Sequence, residues 1–309
     1  MSILFHCAFK NKNQWLKSIR KKFNNEKVYT INNKVNYSKI DYAIVWNLPD
    51  NILSKLKKLK IIFSLGAGVD HIINLPSYKK TPIIRIKDVN MAERMSYHVH
   101  SQILSYQLKL YLFHKAQIKK QWLGEQYTKL NPDITVGILG YGFLGKSVAN
   151  YLTKLNYKVI GFKKLKSKSR NSIKIYTSKN LKIFLAKSDI VVAILPDTDE
   201  TKDFIDRKFL KSMNKKAFLI NIGRGNTLNE SDLLVHLNKN KDFFASLDVF
   251  KNEPLPKKSK FWTHKNVIIT PHAAALTDIN SSIELMYSKY LLFIKNRKIK
   301  SDVNLKKGY

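Results

Sequence analysis

Cysteine is almost absent from this sequence, in which Cys7 is the only thiol among 309 residues. A single cysteine excludes an intrachain disulfide and a cysteine-based metal cluster, so we expect a reducing compartment. Long apolar runs are also missing, because nowhere do about 18 apolar residues follow one another as a membrane-spanning helix requires. The first ten residues, MSILFHCAFK, contain too short an apolar run for a signal peptide. We therefore expect a soluble, cytoplasmic protein without membrane association.

Arginine is scarce although the chain is strongly basic. The formal net charge is +34, yet only seven of the 56 basic residues are arginine. Nucleic-acid sites depend on arginine for bidentate contacts with bases and phosphates, whereas these lysines are spread along the whole chain. The composition therefore favours a solvated surface and no specific nucleic-acid partner. The alternative is a functional basic patch, whose binding to nucleic acid would be independent of sequence and would weaken steeply with salt.

Short β-like runs alternate with longer amphipathic stretches through most of the chain. DYAIVW and LKIIFSLG are such runs in the first part, and ITVGIL and SDIVVAILP in the second. A helical pattern from Ala92 to about Trp122 carries the chain out of the first series, and another from about Thr277 to Lys295 returns it. The alternation predicts an α/β protein with two Rossmann-like, doubly wound parallel-sheet domains. An active cleft is expected between them, where carboxyl ends of strands face each other.

The sharpest local motif is TVGILGYGFLGKSVANYL, in which Gly140, Gly142 and Gly145 have G-x-G-x-x-G spacing. It follows a strand-like run and opens a helix-like run, which is the context of a dinucleotide-binding turn. Gly140 permits the tight turn, Gly142 lets the backbone approach a pyrophosphate, and Gly145 allows close helix packing. The alternative is a glycine-rich strand-to-helix turn without a ligand.

Three titratable residues stand directly after predicted strands. Arg224 lies in NIGRG, Glu253 in NEPLP and His272 in TPHAAA. Each alone is more simply structural, but reduction of a carbonyl by hydride needs a proton donor, a partner for that donor and a cation for a substrate carboxylate. Their joint presence after a nucleotide turn favours catalytic roles.

Together these motifs resemble the D-isomer-specific 2-hydroxyacid dehydrogenases, and within them the bacterial glyoxylate/hydroxypyruvate reductase A subgroup. The matching segments are FSLGAGVD (63–70), the VGILGYGFLG turn, ILPDTDET (194–201), LINIGRG (219–225), SDLL, SLDVF (246–250), NEPLP, ITPHAAALT and the closing Lys307-Gly308-Tyr309. The resemblance runs essentially from end to end. It implies NADPH-dependent reduction of glyoxylate and hydroxypyruvate to the 2-hydroxy acids.

The resemblance also implies a role for individual residues. Arg224 would bind the substrate carboxylate and polarise its carbonyl, and His272 would be the general acid, hydrogen-bonded to Glu253. The amides of Ala67 and Gly68 would hold the other end of the substrate. Trp46 would wall the substrate pocket, or else be a packed aromatic of a surface loop. The further cofactor contacts implied are Phe143, Leu144, Leu195, Pro196, Thr201, Ile222, Asp248, near the nicotinamide amide, and Ala274.

Acidic residues are missing from one long stretch, since no Asp or Glu occurs between Asp133 and Asp189. A dinucleotide turn usually has an acid about 20 residues downstream for the ribose 2′-hydroxyl. In the register of the family that position is Lys163, within GFKKLKSKSR (161–170). We therefore expect NADP(H), with NAD(H) as a poorer alternative. The basic residues expected around the 2′-phosphate are Lys163, Lys164, Lys166 and Arg170.

The resemblance divides the chain into a flavodoxin-like substrate domain, residues 1–98 with 278–309, and an NADP-binding Rossmann domain, residues 99–277. The second includes a dimerisation helix or arm at about 92–125, and its surplus of apolar positions predicts a homodimer. A dinucleotide-sensing regulatory protein on the same fold is the alternative function.

Two further features concern the long helix. Tyr97 stands where relatives commonly carry glutamate, which leaves the role of that position, at the helix base or a dimer contact, open. His98 and His100 are two residues apart, so on a helix they point in different directions and cannot share a metal. His6 is most simply a core residue, and no metal site is predicted.

Overall fold

The computed structural model describes residues 1–164, 173–296, 298–305 and 308. The chain divides into two compact units: the first contains Met1–Met91 and Thr277–Tyr309, and the second contains Ala92–Leu276. The strands of the described residues are β1 Ser2–His6, β2 Lys27–Thr30, β3 Tyr42–Val45, β4 Ile61–Ser64, β5 Ile83–Arg85, β6 Thr135–Leu139, β7 Lys158–Phe162, β8 Lys174–Tyr176, β9 Ile190–Ala193, β10 Phe218–Asn221, β11 Phe244–Leu247 and β12 Val267–Ile269. The α-helices are α1 Lys12–Lys22, α2 Asp50–Leu53, α3 Asp70–Ile73, α4 Val89–Gln107, α5 Leu110–Ile118, α6 Phe143–Lys154, α7 Leu181–Lys187, α8 Arg207–Ser212, α9 Glu230–Lys239 and α10 Ile279–Asn296.

The first unit is built on a five-stranded sheet in the order β2-β1-β3-β4-β5, with every pairing parallel. This is the flavodoxin-like strand order. Helices α1 and α10 cover one face together, because Trp15 and Ile19 of α1 pack in one core cluster with Ile283, Met286 and Tyr290 of α10. Helix α10 therefore belongs to the core of the first unit.

The second unit is built on a seven-stranded parallel sheet in the order β12-β11-β10-β9-β6-β7-β8. Numbered from its own first strand, this is the dinucleotide-binding order 3-2-1-4-5-6 with one strand added. Every residue of β9 and β10 is buried, as expected when helices cover both faces of a parallel sheet. The strand order reverses at β6, which has β7 on one side and β9 on the other. Ligands of such sheets bind beside that point, at the carboxyl ends of the strands.

The fold-class prediction of two parallel sheets is confirmed, whereas the predicted cleft between the units stays a prediction. Strands β2 and β8 were not predicted. Both lie at sheet edges and carry partly exposed residues, so neither has the continuous apolar run of a buried strand. Sequence periodicity therefore did not predict these two edge strands, whose side chains are less buried than those of the central strands.

The predicted helix from Ala92 to about Trp122 is wrong in detail, because the structure has two helices there. The break comes at Lys109, whose φ of 60° is left-handed and cannot continue an α-helix. The compact units change after 91 and after 276, whereas the predicted domains change after 98 and after 277. The first difference arises because Met95 of α4 already packs in the core of the second unit. The substrate-binding and NADP-binding roles of the two domains stay a prediction.

Candidate active site

The glycine-rich turn connects β6 to α6. Gly140 has a φ of 102°, and a Cβ there would lie 2.5 Å from the carbonyl oxygen of Ile194. A Cβ at Gly145 would collide with the carbonyl oxygen of Gly140, so the helix packs directly on the turn. A Cβ at Gly142 would meet no atom of the described residues within 4 Å. The turn is therefore closely packed on two sides and open at Gly142.

That open side faces a helix start. Helix α6 begins at Phe143, so the N–H groups of its first turn, from Phe143 to Gly145, have no acceptor within the helix. Such N–H groups and the positive end of the helix dipole favour a phosphate. The open backbone at Gly142 thus fits a dinucleotide diphosphate, which the amides of Phe143 and Leu144 would hold.

The loop after β9 is shaped by its own threonines. The Thr201 hydroxyl donates to the carbonyl oxygen of Pro196 at 2.6 Å and accepts from the N–H of Thr198 at 2.9 Å. A Cβ at Gly223 would lie 2.6 Å from the carbonyl oxygen of Leu195, so this loop rests on the loop after β10. Of the predicted cofactor residues on this loop, Leu195 lies beside the glycine turn, because a Cβ at Gly140 would lie 3.4 Å from its backbone nitrogen. Pro196 and Thr201 follow on the same loop, and the hydroxyl of Thr201 is engaged in holding it.

Arg224 is placed by the loop that follows β10. Its Nη1 donates to the carbonyl oxygen of Gly223 at 3.0 Å, and its own carbonyl oxygen accepts from the Thr227 hydroxyl at 2.6 Å. The next residue must be glycine, because a Cβ at Gly225 would collide with the backbone of Phe250. This close approach brings Arg224 next to the loop that follows β11, where Glu253 lies.

His272 and Glu253 are hydrogen-bonded, with 2.7 Å between Nδ1 of the histidine and Oε2 of the glutamate. The other carboxylate oxygen, Oε1, accepts from the N–H of Phe250 at 2.9 Å. Burial would raise the pKa of Glu253, but the hydrogen bonds from His272 and Phe250 and the charges of His272 and Arg224 outweigh it and lower this pKa. An ionised carboxylate only accepts hydrogen bonds, so Nδ1 carries a proton and Nε2 is the ring nitrogen left for a substrate.

Asp248 holds the histidine loop in shape. Its carboxylate is buried and accepts from the Thr270 hydroxyl at 2.6 Å and from the N–H groups of Ala273 at 2.8 Å and Ala274 at 3.0 Å. His272 has a left-handed φ of 53°, and its N–H donates to the carbonyl oxygen of Asp248 at 2.8 Å. The resemblance implied a place for Asp248 near the nicotinamide amide, and this positioning role was not predicted.

Two predicted cofactor residues contribute no exposed side chain. Ala274 is 2% exposed and Ile222 is 4% exposed, and both belong to a core cluster of the second unit. The N–H of Ile222 is donated to the carbonyl oxygen of Ala193. A contact of either residue with a cofactor would therefore depend on its carbonyl oxygen.

The lysines after β7 are only partly described. The N–H of Lys163 donates to the carbonyl oxygen of Tyr176 at 3.0 Å, which extends the pairing of β7 with β8. The side chain of Lys164 forms an ion pair with Glu200, with Nζ 2.5 Å from Oε1. Lys166 and Arg170 lie outside the described residues. A carboxylate is thus present where the sequence between 133 and 189 supplies none.

The predicted substrate residues of the first unit lie on two loops that pack together. A Cβ at Gly66 would collide with the indole of Trp46, so the loop after β3 lies on the loop after β4. His71, which was not predicted as a site residue, has its ring centroid 4.2 Å from that of Trp46. The Nδ1 of His71 accepts from the N–H of Asn47 at 3.2 Å, and its Nε2 lies 3.2 Å from the Ser64 hydroxyl.

Ser64 completes this network, because its hydroxyl donates to the carbonyl oxygen of Gly68 at 3.0 Å. The side chains of Ser64 and His71 thus hold the Ala67–Gly68 backbone and the Trp46 loop in place. A titratable residue just after LGAGVD was the one available signal for His71. Trp46 is packed in a loop, which was one of its two expected roles, and the pocket role stays a prediction.

In the described part of the chain, no three His, Cys, Asp or Glu side chains are grouped so that they could hold a metal ion. His6 is partly exposed at the end of β1 and is not a fully buried core residue. None of the helices traced in the described ranges combines the length and apolarity needed to cross a bilayer.

Comparisons with known proteins extend these observations. Residues 101–274 match the family model described as D-isomer specific 2-hydroxyacid dehydrogenase, NAD binding domain. A glyoxylate/hydroxypyruvate reductase A from Photorhabdus laumondii is 31% identical over 316 residues, which cover 100% of both chains. The chain belongs to the D-isomer-specific 2-hydroxyacid dehydrogenase family. The resemblance stated from sequence motifs is thereby confirmed, and with it the prediction of an oxidoreductase.

Two solved structures of 2-hydroxyacid dehydrogenases share the fold over the whole chain. One, from Xanthobacter autotrophicus in complex with NADPH and MES, is 27% identical with a TM-score of 0.92, and covers 100% of this chain and 99% of that one. The other is an NADPH-dependent glyoxylate/hydroxypyruvate reductase from Sinorhizobium meliloti in complex with NADP and sulfate. It is 29% identical with a TM-score of 0.92, over 100% of this chain and 99% of that one.

This 2-hydroxyacid dehydrogenase departs from the expected pattern at Tyr97. The Tyr97 hydroxyl donates to a carboxylate oxygen of Glu93, one helical turn earlier, and this hydrogen bond raises the pKa of Tyr97. Glu93 thus provides an acid one helical turn before the position where the resemblance implied a glutamate. The rings of Tyr97 and Tyr151 lie 5.6 Å apart, so the exposed tyrosine packs against α6. His98 and His100, on the same helix, are both partly buried, which lowers their pKa values.

Proposed function

We propose that this chain reduces small 2-oxo acids with NADPH, glyoxylate and hydroxypyruvate first. The observation that carries the proposal is the pairing of His272 Nδ1 with Glu253 at 2.7 Å, with Arg224 near enough for its charge to lower the pKa of Glu253. A proton donor, its carboxylate partner and a cation are the groups that reduction of a 2-oxo acid requires. Relatives named for this activity support the choice of substrates.

The geometry supports a proposed role for each of these groups. When bound, the nicotinamide supplies a hydride to the carbonyl carbon of the substrate. His272 donates the Nε2 proton to the carbonyl oxygen, which yields the hydroxyl of the product. Glu253 holds the ring through Nδ1 and stabilises its positive charge before the transfer. The guanidinium of Arg224 binds the substrate carboxylate and orients the carbonyl.

The other proposed contacts come from backbone groups and lysines. The amides of Ala67 and Gly68, held by Ser64 and His71, bind the substrate. The turn from Gly140 to Gly145 holds the diphosphate. Lys163 and Lys164 bind the 2′-phosphate, which carries roughly two negative charges. The structures of relatives with NADP or NADPH support this cofactor.

The proposed activity is tested with a panel of 2-oxo acids, assayed with NADPH and NADH in parallel. We expect oxidation of NADPH with glyoxylate and hydroxypyruvate, and a higher kcat/KM for NADPH than for NADH. Tight binding of NADPH without turnover of any 2-oxo acid would instead indicate a dinucleotide-sensing protein. A preference for NADH would show that the cofactor assignment is wrong.

Replacing Lys163 by aspartate is expected to reverse this preference at least in part. The variant places an acid where the ribose 2′-hydroxyl of NAD would lie and repels a 2′-phosphate. We expect the ratio of kcat/KM for NADPH to that for NADH to fall by about ten- to a hundredfold, by analogy with the loss of charge-assisted hydrogen bonds. Lys158→Asp, at the opposite end of β7, is the matched control and should leave the ratio unchanged. An unchanged ratio in Lys163→Asp would contradict the assignment.

A homodimer is part of the same proposal. Helix α5 and the segment after it expose large apolar side chains, which a monomer would leave in water. The large apolar side chains of α5 and the following segment that are 50% exposed or more are Leu110, Ile118, Trp122, Tyr127 and Leu130.

The predicted cytoplasmic location stays a prediction.

Sedimentation equilibrium tests the dimer. We expect a mass of twice the 35.9 kDa of one chain at micromolar concentration. Ile118→Asp with Trp122→Asp should weaken self-association, because both charges would be desolvated in the contact. Ile183→Asp is the control, since Ile183 is also exposed but lies on α7. A monomeric wild-type chain, or a double variant that dimerises as tightly as wild type, would contradict this assignment.

A further inference from the structure

An ion pair lies over the carboxyl ends of the strands that flank the glycine turn. Lys164 follows β7, and Glu200 lies in the loop after β9, with Nζ 2.5 Å from Oε1. The sheet order places β6 between these two strands. The pair therefore bridges from one side of the nucleotide turn to the other, near the place where a dinucleotide ribose lies in this fold.

Both partners come from anchored backbone. The carbonyl oxygen of Lys164 accepts from the Ser178 hydroxyl at 3.2 Å. Glu200 directly precedes Thr201, whose hydroxyl holds the loop through the carbonyl oxygen of Pro196 at 2.6 Å. The two side chains, each 63% exposed, can therefore rearrange while their backbones keep them close. Glu200 is the acid that the sequence between 133 and 189 lacks at this point.

We propose that Glu200 is a specificity-determining residue, which competes with the 2′-phosphate of NADP(H) for Lys164 and thereby lowers the preference for NADP(H) over NAD(H). The inference rests on the proposed use of NADP(H). A carboxylate and a phosphate at one ammonium repel each other, so the carboxylate must move away or weaken the phosphate contact. With NAD(H), the same carboxylate can accept a hydrogen bond from the 2′-hydroxyl, as acids of dinucleotide folds do.

Calorimetric titration of the full chain with NADP⁺ and with NAD⁺ tests this role without relying on turnover. Glu200→Gln keeps the shape of the side chain and removes its charge. We expect the Kd for NADP⁺ to fall by about three- to tenfold at low salt, and the Kd for NAD⁺ to stay the same or rise. The gain should shrink at high salt, because both groups are exposed. Asp199→Asn, which removes a neighbouring exposed charge of the same loop, is the control.

A second pair of variants separates a specific contact from a general effect of charge. In a Lys164→Gln background, Glu200→Gln should give a clearly smaller gain for NADP⁺, since the ammonium for which the two anions compete is gone and only their direct repulsion is relieved. The proposal is overturned if the gain is undiminished in that background, if Asp199→Asn gives an equal gain, or if Glu200→Gln leaves the ratio of the two Kd values unchanged.

Adenosine 2′,5′-bisphosphate and 5′-AMP, titrated in the same way, confine the readout to the adenosine end of the site. The bisphosphate should gain affinity in Glu200→Gln, and 5′-AMP should not. An equal gain for 5′-AMP would overturn the role of the 2′-phosphate. Failure of the catalytic assignment would appear as no turnover with these binding differences intact, whereas no binding of NADP⁺ at all by wild type would overturn both proposals.

Discussion

Replacing His272 with asparagine is expected to lower kcat for the reduction of glyoxylate by about 10²- to 10⁴-fold, the usual contribution of a positioned general acid. Of the hydrogen-bonded residues His272 and Glu253, only the histidine can donate a proton to the substrate, because the hydrogen bonds and nearby positive charge at Glu253 lower its pKa. Asparagine is the sharper choice over alanine, since His272 has a φ of 53° and asparagine tolerates left-handed backbone. The loss of rate can then be attributed to the missing imidazole.

Steady-state kinetics at saturating NADPH measure the effect, and calorimetry with NADP⁺ should show a nearly unchanged Kd. His264→Asn is the matched control. His264 precedes β12, whereas His272 follows it, so the control residue lies near the amino end of the strand whose carboxyl end leads to His272. A His272→Asn variant that retains more than about a tenth of the wild-type kcat would contradict the role as general acid.

Replacing Arg224 with alanine is expected to lower kcat/KM for 2-oxo acids by about 10²- to 10³-fold, through both a higher KM and a lower kcat. Loss of a charge-assisted, bidentate contact with the substrate carboxylate accounts for the higher KM. The lower kcat follows because the carbonyl is then held less well for reaction. Arg224→Lys should recover only part of the loss, since an ammonium cannot reproduce the planar fork of donors.

Glycolaldehyde, which has no carboxylate, separates these two effects. The wild-type enzyme should prefer glyoxylate strongly, and Arg224→Ala should lose most of that preference. Arg207→Ala is the control, because Arg207 is an exposed arginine of the same unit that pairs with Asp232 at 3.1 Å. If Arg224→Ala kept the preference for glyoxylate, the carboxylate would have to be bound elsewhere.

Much of the fold could be predicted because its signals are local. The buried strands of both sheets are continuous apolar runs, and the glycine spacing after β6 requires a turn whose conformation only glycine accepts easily. The edge strands β2 and β8 could not be predicted, since a strand with one partner and exposed residues has a weaker pattern. The break at Lys109 was missed for a similar reason, because a left-handed lysine has no distinct sequence signal.

The sequence predicted the proposed catalytic residues of the candidate site but not the residues that hold its loops in position. Arg224, Glu253 and His272 could be found because each follows an apolar strand, and strand ends are where a parallel sheet collects its functional groups. The positioning roles of Asp248, Ser64 and His71 became visible only from hydrogen bonds in the folded chain. Asp248 bonds to the loop that carries His272, Ser64 bonds to the carbonyl oxygen of Gly68, and His71 bonds to the loop that carries Trp46. A motif shows which residue types are present, whereas an orienting contact depends on three-dimensional position.

The lysines after β7 illustrate both what the sequence determined and what only the tertiary structure decided. The sequence by itself determined the family, the two parallel sheets and the lack of an acid from 134 to 188, because these are properties of local composition and spacing. Only the tertiary structure decided what surrounds Lys164. A carboxylate from Glu200, 36 residues later, reaches the lysine because β7 and β9 lie on either side of β6. Charge in a binding site is the sum over all neighbouring loops, and one stretch of sequence supplies only part of it.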